Sequence, residues 1–175
     1  MSTEHRRRID TLLDPAFVEG MEGLPLEELR TRRKVAEEVE TELSFYRRLI
    51  HGRMDLVAFE LRRRTGEETR SLVDALPEVL AVGLRAPDAP TRVIQVEAPD
   101  LPEIRNRALD RILDDGFPGI LPELPDEELD GIWDRLIEAE RDVSAQRRSV
   151  HNVTDALHSE IVRRYKDDPR QAITG

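Results

Sequence analysis

Residues 40–55 read ETELSFYRRLIHGRMD, and one hundred positions later residues 140–155 read ERDVSAQRRSVHNVTD. Glu40, Ser44, Arg47, His51 and Asp55 return as Glu140, Ser144, Arg147, His151 and Asp155, so E-x3-S-x2-R-x3-H-x3-D is written twice. At about 100° per residue the five positions of each copy fall within roughly 80° of helix surface. Each copy is therefore one polar stripe on a long helix.

Working outward at the same offset, Leu24-Pro25-Leu26-Glu27-Glu28-Leu29 returns as Leu124-Pro125-Asp126-Glu127-Glu128-Leu129, and Phe17 returns as Phe117. Arg48, Glu60, Arg63 and Arg64 return as Arg148, Glu160, Arg163 and Arg164. Fifteen of the forty-one positions from Leu24 to Arg64 are identical in the two copies, where chance gives about two or three. An internal duplication accounts for this. Repeat one covers about residues 17–65, a crossover with short helices about 66–116, and repeat two about 117–167. The 175 residues suit a single domain, 1–175, with one sizeable core.

Proline at the first helical position followed by acidic residues starts both helices, because the missing N–H would be orphaned there anyway and carboxylates suit the positive helix end. Val39, Leu43, Tyr46, Ile50, Met54, Val57 and Leu61 form a second stripe at spacings of three and four, centred about 100° from the polar one. This is a helix-pairing seam. Its counterpart, Ala139, Val143, Gln146, Val150, Thr154, Leu157 and Ile161, is more polar in the middle, which leaves room beside the motif for a polar guest. Gly52, inside the first helix, marks a place where something approaches the backbone closely.

Between the copies, Glu67 to Val82 reads as a short helix with Leu72, Leu76 and Leu80 on one face. Four prolines make Arg85 to Pro102 an irregular crossover, with a short extended piece at Arg92 to Val96. Glu103 to Leu113 reads as another short helix, and the ends before Asp14 and after Asp167 as frayed. The fold class is all-α: two long helices from the duplication pair along the seam, with shorter accessory helices. The long crossover permits either helix direction.

Charged residues make up 37% of the chain and the net charge is −10, which disfavours nonspecific attraction to nucleic acid or anionic membrane and suits a basic protein partner. There is no cysteine, so a reducing compartment is the simplest expectation. No apolar run approaches a membrane span, and Arg6, Arg7 and Arg8 are not followed by the apolar stretch of a signal peptide, so the expected location is the cytoplasm. Neither a glycine-rich phosphate loop nor a nucleophile elbow is present, and no enzymatic activity is expected.

Solvated positions drift faster than core positions between duplicated copies, yet here the seam has drifted and the polar stripe has not. That asymmetry points to a ligand or partner. Arginine offers a planar fork for guanine O6 and N7 or for phosphate, and carboxylates accept from guanine N1–H and N2–H₂. Arg47 and Asp55 lie about 12 Å apart along the helix axis, Ser44 and His51 add hydrogen bonds, and Arg48 and Arg148 can neutralise phosphates. Two helices bearing the same stripe suit a twofold-symmetric, guanine-bearing nucleotide. The alternatives are a helical scaffold whose stripes pair with each other or with a protein, and a metal-binding hairpin using His151, Asp155 and His158. Arg47 and Arg147 beside the would-be cation oppose the metal. Trp133 reads as a packing residue, and the basic runs Arg62 to Arg64 and Arg163-Arg164 as complements to the helix dipole.

The doubled motif resembles that of RsiG-type anti-sigma factors of actinobacteria, which carry E-x3-S-x2-R-x3-Q-x3-D on both helices of a coiled coil. The resemblance covers both long helices. It implies an antiparallel coiled coil that captures cyclic di-GMP and, when liganded, holds a sporulation-type sigma factor away from RNA polymerase; the acidic net charge and the lack of an apolar span add the expectation of no direct DNA binding and no membrane. By motif position the nucleotide contacts would be Glu40, Ser44, Arg47, His51 and Asp55, with Glu140, Ser144, Arg147, His151 and Asp155. Histidine replaces the family's glutamine in both copies, which makes binding sensitive to pH in the range where imidazole titrates.

Overall fold

Pro25 and Pro125 set the two long helices going in the same way. The Pro25 carbonyl accepts from the backbone N–H of Glu28 and Leu29 at 3.0 and 3.2 Å, and the Pro125 carbonyl from Glu128 and Leu129 at 3.0 and 3.1 Å. Each proline thus caps its helix from one position earlier than expected, using the only backbone hydrogen-bonding group it has. A computed structural model of the chain describes residues 3–84, 112–114 and 116–168. Among the described residues there are helices and turns and no strand.

The helices are α1 (Thr3–Leu13), α2 (Leu26–Arg64), α3 (Leu72–Leu84), α4 (Phe117–Ile120) and α5 (Asp126–Asp167), with 3₁₀ turns at Pro15–Phe17, Met21–Gly23 and Leu121–Glu123. The all-α expectation, with two long helices and shorter accessory ones, is met. The crossover and its extended piece at Arg92 to Val96 lie outside the described residues, as does the helix expected over Glu103 to Leu113 except for Ile112 and Leu113.

The chain forms two compact units, Phe45–Val143 and Ser2–Ser44 with Ser144–Gly175. Each takes half of α2 and half of α5, so each contains part of both repeats. In the first unit Arg47 pairs with Glu140 and Arg64 with Asp126. In the second, Arg30 bonds Tyr165 and His151 faces Glu40. Numbers that rise along α2 fall along α5 in both units, so the helices run antiparallel.

The first unit buries Ile50, Leu56, Val57 and Phe59 of α2 against Leu129, Ile132 and Leu136 of α5, with Leu72 and Ala75 of α3, Phe117 of α4 and Leu121 completing the core. Each of the larger of these side chains contributes about 1.5–3 kcal/mol on leaving water. Leu56 and Phe59 lie off the expected seam but belong to the same buried cluster as Leu72, Ala75 and Phe117. The second unit centres on Leu29, Leu157 and Ile161, with Phe17, Met21, Leu24 and Tyr165 packed around them. Val39, Leu43 and Val150 of the seam are also buried.

Several expectations need correction. The stretch before Asp14 is helical rather than frayed: Ile9 and Leu12 of α1 are buried, and Arg8 donates to Glu42 at 3.1 Å and to Glu38 at 3.2 Å. The helix after repeat one starts at Leu72, five residues later than Glu67, because three local devices intervene. Gly66 takes a left-handed φ of 81° that stops α2. The Glu68 carboxylate accepts from the N–H of Thr69 and Arg70 at 2.9 and 3.0 Å, and the Ser71 hydroxyl caps α3 at Asp74 N–H, 3.2 Å away. At Gly52 a Cβ would meet nothing within 4 Å, so the expected close approach is absent among the described residues.

The repeated Glu60, Arg63 and Arg64 do more than complement a dipole. Glu60 is fully buried and accepts from Arg63 at 2.8 Å and from Arg64 at 2.8 Å. Arg64 then donates to the Leu124 carbonyl at 2.6 Å, in the entry turn of the other copy. In the second unit Glu160 accepts from Arg163 at 2.7 Å and Arg164 at 2.9 Å, and Arg164 donates to the carbonyls of Met21 and Glu22 at 3.0 and 2.8 Å. The carbonyl groups before each long helix are thus satisfied by an arginine from the end of the other, and the hydrogen bonds to Arg63 and Arg163 hold both glutamates below the usual carboxylate range, Glu160 at about 2.

Candidate functional site

In the first unit the motif residues Arg47, Arg48, His51 and Asp55 of α2 come together with Glu140 of α5. Arg47 Nε lies 3.0 Å from Glu140 Oε1, and His51 Nε2 lies 3.3 Å from the same oxygen. Motif spacings of four put Arg47, His51 and Asp55 on successive turns of one face. Around them is a groove of about 670 Å³, whose walls also include Met54 and Ala58 of α2 and Trp133, Ile137 and Arg141 of α5.

Asp55 is the least satisfied group there. Burial raises its pKa above the ordinary value, with His51 and Arg62 opposing, and it makes no hydrogen bond among the described residues. A partly desolvated carboxylate without a donor favours a guest that brings N–H groups. The groove therefore offers three arginine forks, an open carboxylate acceptor and an imidazole.

In the second unit the reciprocal residues gather. His151 Nδ1 lies 3.3 Å from Glu40 Oε1, and His151 Nε2 lies 3.4 Å from Asp155 Oδ2. Each unit pairs the glutamate of one motif copy with the histidine of the other. Ser44 and Ser144 are half-buried, Arg147 is half-buried with no ion pair among the described residues, and exposed Arg148 donates to the Ser144 carbonyl at 3.3 Å. His158 turns to Arg33, whose Nη1 is 3.3 Å from its Nδ1. No group of three or more metal-ligating side chains gathers among the described residues.

Repetition singled out the motif but missed Met54, Ala58, Trp133, Ile137 and Arg141. Trp133 does pack on the core, as expected, yet it also faces the groove. The missing signal lay in differences between the copies, since Trp133 corresponds to Arg33.

A model of the RsiG-like family matches residues 15–80 and 115–174, which together hold both repeats and the first part of α3. The chain belongs to the RsiG-like family. Its general role is accordingly that of an anti-sigma factor, a regulatory kind of protein whose partner is a sigma factor. A comparison with curated proteins finds no match. No helix among the described residues is long and apolar enough to cross a membrane.

Proposed function

We propose that this RsiG-like chain binds cyclic di-GMP through its doubled motif and, when liganded, sequesters a sporulation-type sigma factor from RNA polymerase in the cytoplasm, without catalysing a reaction. The observation that carries the reading is that Arg47 and an open, partly desolvated Asp55 line one groove. Arg47 supplies a fork for guanine O6 and N7 or for phosphate, and Asp55 accepts from guanine N1–H and N2–H₂. The nucleotide competes with Glu140 for Arg47, so its binding would break an existing ion pair. The net charge of −10 suits the basic DNA-facing surface of a sigma factor, which an acidic helical protein occupies competitively.

Isothermal titration with cyclic di-GMP, beside GTP and cyclic di-AMP, at pH 6 and pH 8 tests this reading. Saturable, guanine-selective heat that disappears in Arg47→Ala, with helicity retained, is the expected result, followed by nucleotide-dependent capture of a sigma factor. Flat traces at both pH values would overturn the nucleotide. They would favour the scaffold reading, for which the Arg47–Glu140 and His151–Glu40 pairs are the specific observation.

A further inference from the structure

The motif is doubled, but the groove beside it is not. In the first unit its apolar side is made by Met54, Ala58, Trp133 and Ile137. One hundred positions away stand Thr154, His158, Arg33 and Glu37, all polar or charged. In the second unit Arg33 links two of the others: Arg33 Nη1 is 3.3 Å from His158 Nδ1, and Arg33 Nε is 3.0 Å from Glu37 Oε1. Ala58 leaves open the volume that an imidazole takes at the corresponding place. Trp133 is half-buried, fixed by the core on one side and open to the groove on the other.

An aromatic face beside cationic forks and a carboxylate is the chemistry of a purine nucleotide site: the ring stacks, the arginines take phosphate, and the carboxylate reads the base edge. A groove of about 670 Å³ is within the range of small-ligand sites. We propose that the Trp133 groove is a purine subsite in which Trp133 positions the base, and that the corresponding face of the second unit, where Arg33 and His158 stand, offers no such stack. This rests on the nucleotide reading above and deepens it. The five-residue motif is shared by both units, whereas base stacking belongs to one.

Trp133 is the sole tryptophan, so intrinsic emission of the full chain reads this groove alone. Titrating with cyclic di-GMP should change that emission saturably, with the same affinity as calorimetry. Trp133→Leu should weaken binding about tenfold to a hundredfold, the loss of one base–aromatic stack; Trp133→Phe should restore most of it, and Arg33→Ala should leave it within about twofold. Calorimetric binding with unmoved emission, and full affinity in Trp133→Leu, would overturn the subsite and leave the cyclic di-GMP reading standing. If Trp133→Leu fails to fold, the wild-type emission and Trp133→Phe decide. No heat with cyclic di-GMP but saturable quenching by GMP, lost in Arg47→Ala, would support the purine subsite and remove cyclic di-GMP. Silence with both nucleotides would overturn both.

Discussion

The two units carry the same parts in different company. Both hold a buried glutamate clamped by two arginines, and both set the glutamate of one motif copy against the histidine of the other. Around these constants the first unit has gained a broad apolar core and an aromatic-walled groove, while the second has Arg33, Glu37 and His158 at the wall positions. The comparison divides the repeated polar residues into two kinds. Glu60, Arg63 and Arg64 repeat because the fold needs them: Glu60 accepts from both arginines, and Arg64 donates to the carbonyl groups of the opposite helix entry. Arg47, Arg48, His51 and Asp55 complete no such cap, and the proposed ligand would account for their repetition.

The largest expected difference between the units is in nucleotide binding. Asp55 is partly desolvated, whereas Asp155 is 64% exposed and already faces His151. Asp55→Ala should therefore weaken cyclic di-GMP binding about a hundredfold and Asp155→Ala about tenfold, where each tenfold is about 1.4 kcal/mol. Equal losses by calorimetry would break the comparison. The clamps, in contrast, should be equivalent. Glu60→Ala and Glu160→Ala are each expected to cost about 2–3 kcal/mol in urea unfolding, as two arginines lose a buried acceptor. A cost in one unit only would show that one clamp is dispensable.

Acid sharpens the same point. The folded state holds Glu160 at about 2, below its ordinary 4.5, chiefly through its hydrogen bond to Arg163. Its contribution to stability is fully present above pH 4.5 and is lost as pH falls toward 2. Glu160→Gln should flatten that part of the stability profile; an unchanged slope between those values would remove the clamp from acid unfolding. The smallest effect concerns the helix interior. With nothing within 4 Å of a Cβ at Gly52, Gly52→Ala should stabilise by about 0.5–1 kcal/mol, and Asn152→Ala in the second copy by about half as much. Destabilisation by Gly52→Ala in thermal melts would mean that the position is not open.

Much of this was legible in the sequence. Periodicity and the repeat offset located both long helices and most of their seam, from Val39 and Leu43 to Leu157 and Ile161, because a 3.6-residue period projects directly onto a helix face. The motif stripe was legible for the same reason. What could not be read were contacts fixed by helix direction. Arg64 meets a carbonyl 60 residues away and Arg164 one 140 away, and no local pattern encodes either. Helix α1 was obscured by its basic residues, although Ile9 and Leu12 are spaced for one buried face. Trp133 was legible as packing but not as a groove wall, because its significance lies in having no counterpart in the first copy.

The two arginine clamps also set an order of assembly. The first unit is a continuous stretch, Phe45–Val143, and its clamp closes over 60 residues. The second is discontinuous: its entry turn at Met21–Gly23 is made early, and the arginine that caps it comes 140 residues after Leu24. Closing the longer loop costs only about 0.7 kcal/mol more in chain entropy, but on the ribosome the difference is one of time. The first unit can form before Arg164 has been made, whereas the Met21–Gly23 turn waits for that arginine. A growing chain thus carries an uncapped turn at Met21–Gly23 until Arg164 has been added.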